Sequence, residues 1–246
     1  MVRLSVNVNK VATLRNSRGG REPRVRDAVD VCLAAGVTGI TVHPRADQRH
    51  ITPTDVREIA ARLAELRPRV EFNMEGDPRP DFLELVHEVG PEQCTIVPVV
   101  PGEITSQAGW TPGPDTERLP AIIQTMKSEG IRVSLFVDPT AEAISLAHDV
   151  GADRVELYTE PFARAYELGH DEGRRSLVAF ANAAQLAHRL GLGVNAGHDL
   201  DLDNLTLFRT LPFLDEVSIG HAIMSRALFL GLDTVVREYL AVLAQP

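Results

Sequence analysis

Apolar and polar positions alternate along this chain in short runs, and longer amphipathic segments separate the runs. Residues 4–8 put Val6 and Val8 on one face and Ser5, Asn7 and Asn9 on the other, the two-residue period of a half-buried strand. Similar short runs recur at 39–43, 70–74, 93–98, 132–137, 154–158, 192–197 and 216–219. Helical patterns lie between them at 25–35, 54–67, 81–89, 116–129, 141–150, 173–190, 205–211 and 222–243. Gly36, Gly90, Gly130, Gly151 and Gly191 each close a helix just before a strand. Residues 10–20, with Arg15, Arg18 and the Gly19-Gly20 pair, read as a loop. Eight strands alternating with helices predict a parallel sheet closed into a barrel, a single (β/α)8 TIM barrel with extra short helices over residues 1–246. An open doubly wound sheet is disfavoured, because no GxGxxG follows the first strand.

The strand faces differ in kind. One set, Val6, Ile40, Val42, Phe72, Met74, Val133, Leu135, Val155, Leu157, Val194, Ala196 and Val217, is apolar, as packing against helices requires. The other contains Asn7, Asn9, Thr41, His43, Asn73, Glu75, Ser134, Asp138, Glu156, Tyr158, Asn195 and Ser218. Buried polar groups without partners cost on the order of 1–3 kcal/mol each. A barrel interior this polar therefore predicts either a self-satisfied hydrogen-bond network or a polar ligand at the C-terminal strand ends. Two strands end in Gly-His, at Gly197-His198 and Gly220-His221, as a phosphate-binding rim requires, with Gly197 expected to let backbone N–H groups approach a ligand. These patterns predict a barrel enzyme acting on an anionic, phosphorylated substrate, with His and Glu available for proton transfer.

Composition adds boundaries. The chain has 246 residues with 44% hydrophobic and 24% charged side chains, ordinary for a globular protein. A net charge of −9 without a basic run argues against a nucleic-acid partner. Neither a signal peptide nor a membrane span is visible, and Cys32 and Cys94 lie in apolar segments as reduced thiols, so a cytoplasmic protein is expected. His43, His198, His221 and Glu75 lack tight metal-ligand spacing, and no metal is expected. Leu228, Leu230, Val235, Val236 and Leu240 on the closing helix are expected in the core.

Seven motifs carry a resemblance: VNVNKVATLRNSRG, GITVHPRADQRHIT, EITSQAGW, GIRVSLFVD, VELYTE, VNAGHDL and EVSIGHAI, in this order along the whole chain. They resemble the pyridoxine 5′-phosphate synthase family, which closes the pyridine ring in one route to vitamin B6. The resemblance implies condensation of 3-amino-2-oxopropyl phosphate with 1-deoxy-D-xylulose 5-phosphate, release of inorganic phosphate and water, no cofactor, and a homo-octamer built from dimers. It implies His43 as a general acid/base, Glu156 as the carboxylate that stabilises charged intermediates, and His198 as proton donor to the leaving group. Arg45, His50 and Thr105 match contacts to the deoxyxylulose phosphate. Asn7 and Arg18 match contacts to the aminoketone phosphate, with Gly220 and His221 its phosphate turn.

Three positions depart from the family pattern. Asn9-Lys10 replaces Asp-His after the first strand, Asp199 stands where glycine is common, and Asn73 occupies the place of a catalytic glutamate. Glu75, two residues on, shares the face of Asn73 and sits nearer the rim, so it is expected to supply the missing base. Lys10 is expected to contact phosphate; a Schiff-base role would require desolvation. Another phosphosugar-binding barrel enzyme, an aldolase or isomerase using Lys10 or Glu75, is the alternative.

Overall fold

The computed structural model describes residues 2–99 and 106–245. Eight strands, β1 (Arg3–Asn7), β2 (Gly39–Val42), β3 (Glu71–Gly76), β4 (Gln93–Ile96), β5 (Arg132–Val137), β6 (Arg154–Tyr158), β7 (Gly193–Gly197) and β8 (Leu214–Ile219), pair in parallel in sequence order. The closing pair sets Arg3–Val6 of β1 beside Glu216–Ile219 of β8. The expected TIM barrel is therefore present. Helices α1 (Asn9–Asn16), α2 (Val25–Ala35), α3 (Pro53–Leu63), α4 (Pro80–Val89), α5 (Leu119–Ser128), α6 (Ala141–Asp149), α7 (Glu160–Leu168), α8 (His170–Arg189), α9 (Leu202–Phe208), α10 (His221–Leu230) and α11 (Leu232–Leu243) surround it.

The apolar strand face behaves as its period requires. Val6, Ile40, Val42, Phe72, Met74, Leu135, Val155 and Val217 are fully buried between sheet and helices. Phe162, Phe180 and Phe208 interlock under α7, α8 and α9, with ring centroids 4.9–6.1 Å apart.

Three helical readings need correction. The segment after β1 is a helix, because Arg15 and Asn16 tie it down. Arg15 pairs with Asp55, Nη2 to Oδ2 at 2.9 Å, and Asn16 Nδ2 donates to His50 O at 2.9 Å. The long closing helix is two, α10 and α11, broken at Gly231 with φ 83°. The stretch read as loop ahead of the 173–190 helix holds a further helix, α7, which Gly169 at φ 147° separates from α8. The break also changes burial: Val235 and Val236 are core as expected, whereas Leu228 is 71% and Leu230 47% exposed beside Phe229 at 87%.

The barrel interior is polar at three levels. At the N-terminal end Arg3 pairs with Glu71 at 3.0 Å and Glu216 at 3.1 Å, and Arg154 with Asp215 at 3.0 Å. Above this, Asn73 Nδ2 donates to Thr41 Oγ1 at 3.3 Å, while Thr95 Oγ1 donates to Asn73 Oδ1 at 3.1 Å. Asn195 Nδ2 donates to Gln93 Oε1 at 3.3 Å, and Arg154 donates to Asn195 Oδ1 at 2.8 Å. Thr41, Asn73 and Asn195 thus form the self-satisfied network and lie below the mouth, not at it. The third level, Asn7, Glu75, Glu156 and Ser218, opens into a cavity.

Candidate active site

A cavity of about 700 Å3 occupies the C-terminal mouth of the barrel. Its wall includes Asn7, Asn9, Lys10, His43, Arg45, His50, Glu75, Glu156, His198, Asp199, Gly220 and His221, all singled out from the sequence. Asn73 and Arg18 do not join them. Asn73 is buried in the middle level, with both ends of its amide occupied. Arg18 is exposed beyond α1 and outside the wall. Thr105 lies outside the described residues.

The β1 side is built by two asparagines. Asn7 Oδ1 accepts from Asn9 N at 3.0 Å, and Asn9 Oδ1 accepts from His43 N at 2.9 Å, which fixes the end of β2 against α1. The first turn of α1 brings Lys10 to the wall, and the Arg15–Asp55 pair holds α1 to the loop carrying Arg45, Arg49 and His50. Asp55 also closes a capping box with Thr52 at the start of α3. His50 Nδ1 accepts from Ile51 N at 2.9 Å, so a neutral ring carries its proton on Nε2 and is a donor to an anion. Burial, with the charges of Lys10 and Arg45, pulls His50 down to about 4, which keeps the ring neutral. This side offers a cluster of donors fit for one phosphate.

The carboxylates stand opposite. Glu75 Oε2 accepts from Asn7 Nδ2 and Oε1 accepts from Ser218 Oγ, both at 3.3 Å. Its Oε2 lies 3.9 Å from His43 Nδ1. Burial pushes Glu75 up to about 7, against the opposing hydrogen bond from Ser218. Burial and the charge of Glu75 raise Glu156 well above the usual carboxylate range. Burial draws His43 down to about 3, helped by His50 and Arg45, and its Nε2 has no hydrogen-bond partner among the described residues. At neutral pH the site therefore holds a neutral imidazole and a Glu75 poised between states, beside a Glu156 that keeps its proton more tightly than a free carboxyl. Neighbouring groups in different protonation states are what acid and base catalysis in one site requires.

Gly197 has a different task from the one expected. A Cβ there would lie 2.4 Å from Glu156 Oε1, so the missing side chain makes room for that carboxyl and not for a ligand. Gly220 lets β8 close on Asn7, whose carbonyl oxygen a Cβ would meet at 2.9 Å. Gly220 is also the N-cap of α10, so the first N–H groups of that helix face the cavity beside His221. These N–H groups are a second set of donors at the mouth, on β8 and α10 next to β1 and α1.

Three wall residues, Phe136, Glu160 and Arg164, escaped the sequence reading. Phe136 and Tyr158 flank His198, with ring centroids at 6.2 and 5.1 Å. Phe136 shares the inward face of Ser134 and Asp138, but inside an apolar run it reads as a core residue. Glu160 and Arg164 on α7 line the far side, on a helix the sequence did not reveal.

These protonation states predict a pH dependence of stability for the ligand-free protein. Glu75 at about 7 and Glu216 at about 8 are raised, so their stabilising contribution is complete below their ordinary value of 4.5 and is lost as pH rises through the folded values. His43 and His50 are lowered, so their contribution is lost as pH falls below 6.5 and is constant above it. Between pH 6.5 and 8 the carboxyls decide the sign, and the thermal midpoint falls. Scanning calorimetry across this window checks it, with Glu75→Gln giving a shallower slope; a flat or rising midpoint contradicts the assignment.

No helix among the described residues is long and apolar enough to cross a membrane. Comparison with known proteins gives one family: the model of "Pyridoxal phosphate biosynthesis protein PdxJ" matches residues 4–245. A protein of Christiangramia forsetii named pyridoxine 5′-phosphate synthase is 48% identical over 99% of this chain and 100% of its own. A Bacteroides fragilis protein of the same name is 50% identical over 97% and 98%. Among solved structures, a thiamine phosphate pyrophosphorylase from Pyrococcus furiosus superposes with a TM-score of 0.62 at 14% identity, covering 98% of this chain and 95% of its own. Phosphoribosylanthranilate isomerase from Thermotoga maritima gives 0.61 at 11%, covering 99% and 98%. At such identity these two share the fold alone.

Proposed function

Because the chain belongs to the PdxJ family of pyridoxal phosphate biosynthesis proteins, we propose that it condenses 3-amino-2-oxopropyl phosphate with 1-deoxy-D-xylulose 5-phosphate to form pyridoxine 5′-phosphate. The observation that carries this reading is one cavity whose wall holds two separate sets of anion donors together with a buried acid–base set. Arg45, Lys10 and His50 suit the phosphate of the deoxyxylulose, and the N-terminus of α10 with Gly220 and His221 suits that of the aminoketone.

Attack of the amine on the ketone, loss of water and phosphate, and ring closure all require protons to leave carbon or nitrogen and reach departing oxygens. Glu75, near its half-protonated point, takes the role of base, with His43 3.9 Å away as the partner that passes the proton on. Glu156, on the wall beside them, stabilises the charge that develops on the intermediates. His198 delivers a proton to the leaving group. No step calls on a cofactor. The exposed Leu228, Phe229 and Leu230 support the further reading that copies of the chain associate; a homo-octamer in the cytoplasm is what the family resemblance adds to it.

An aldolase using Lys10 has nothing in its favour here, because Lys10 is exposed in the first turn of α1 and lacks the desolvation a Schiff base requires. Incubating the protein with both phosphates and following the absorbance of pyridoxine 5′-phosphate tests the proposal. Product must depend on the amine; turnover of a single sugar phosphate without it would favour an isomerase or aldolase instead.

A further inference from the structure

Two consecutive residues after the last residue of β7, His198 at φ 92° and Asp199 at φ 56°, hold left-handed backbone conformations without being glycine. Asp tolerates this region better than most residues, and glycine occupies it at lower cost still. A turn needing shape alone would be served by glycine at 199. What the aspartate adds is a contact: its Oδ2 lies 3.1 Å from Nδ1 of His198.

The turn is braced for that contact. The Thr159 hydroxyl is within hydrogen-bond reach of the Gly197 carbonyl oxygen at 2.8 Å and of the His198 carbonyl oxygen. Asn204 Nδ2 donates to Asp199 O at 3.0 Å, and Asn204 itself is fixed in the capping box of α9 with Asp201. Tyr158 packs edge-on against the imidazole. The groups facing the pair are His43 from β2, Asp138 following β5, Glu156 and Tyr158 from β6, Glu160 and Arg164 from α7, and His221 from α10.

We propose that Asp199 is a positioning residue and not a substrate ligand: its carboxylate holds the proton of His198 on Nδ1 and leaves Nε2 as the nitrogen that exchanges protons at the cavity. An ionised carboxylate only accepts, so the shared hydrogen belongs to Nδ1 of the neutral ring. The hydrogen bond to His198 holds the Asp199 carboxyl below its ordinary range, so it is ionised at neutral pH. When Nε2 takes a proton, the imidazolium forms beside this negative charge. Passing that proton to the leaving oxygen restores the neutral ring, and the bond to Nδ1 persists throughout. The role in turnover rests on the ring-closing reaction proposed above; the tautomer does not.

Nitrogen-15 NMR of the ligand-free protein tests the tautomer, with the His198 signals identified by their loss in His198→Gln. The expected spectrum has His198 in the Nδ1–H form with a downfield, hydrogen-bonded proton. Asp199→Gly loses that proton and mixes the tautomers, yet its thermal midpoint stays within ~2 °C of the parent because the backbone is relieved. In turnover assays kcat falls at least about tenfold while KM changes by less than about threefold. Asp199→Asn, which keeps an accepting oxygen without the charge, retains the Nδ1–H form and still loses kcat. An unchanged tautomer in Asp199→Gly overturns the proposal, and so does a loss carried by KM with kcat intact. The spectra need no substrate, so they decide the dyad whether or not the parent protein makes pyridoxine 5′-phosphate.

Discussion

Glu75→Gln removes product formation, with kcat down by about a thousandfold, while Asn73→Ala stays within about fivefold of the parent. The amide keeps the shape of the carboxyl, and Asn7 and Ser218 can still reach it, so the loss reports the missing base and not a collapsed wall. Asn73 sits one level down, where its amide bridges Thr41 and Thr95. Its removal takes one partner from each hydroxyl, Thr41 keeping Ser5 and Thr95 keeping Glu156, and costs about 1–3 kcal/mol of stability instead of rate. Steady-state kinetics and calorimetry on both variants separate these effects. The reverse order, a mild Glu75→Gln and a dead Asn73→Ala, overturns the assignment of the base.

Gly109→Ala unseats the loop that packs over β4 and β5. A Cβ at this position would lie 2.3 Å from Val137 Cα and 2.5 Å from Asp138 N, and backbone atoms cannot swing aside. The loop is held by Gly109 N donating to Asp138 Oδ2 at 3.3 Å, Trp110 N to Phe136 O at 2.9 Å and Trp110 Nε1 to Ile96 O at 3.1 Å. Overpacking of this kind costs about 3 kcal/mol, which lowers the thermal midpoint by about 6–12 °C in a chain of this size. Trp110 is the sole tryptophan and is buried, so its emission shifts to longer wavelength in the variant. An unshifted emission with an unchanged midpoint would show that the loop is seated by other contacts.

How much of this was legible in the sequence depends on whether the signal was local. The strands were, because their two-residue period and the glycines before them are written in adjacent residues. β5 and β6 fall where the alternation puts them. Helix α1 was not, because what folds its arginine-rich segment is Arg15 reaching Asp55, forty positions on. The break at Gly231 was hidden in a continuous helical pattern, where a single glycine can be tolerated, and α7 was lost in a stretch read as loop. In the candidate site, the face of each polar residue was legible but its height along the barrel was not. Thr41, Asn73 and Asn195 share a face with Glu75 and Glu156, and only the stagger between strands separates the satisfied level from the open one. Gly197 was read for the right reason, lack of a side chain, and assigned to the wrong neighbour. Tyr158 was legible on the inward face, whereas Phe136, two residues from Ser134 on that same face, passed for an ordinary core residue.

The pleat of β3 also sets which residues of this strand can reach the pocket. Side chains for one wall come every second residue, so Asn73 and Glu75 are rungs about 6.6 Å apart on one ladder. The rung between them, Met74, is fully buried on the other face, so a carboxyl engineered there would be shut away from the chemistry, in the oily shell beneath the helices.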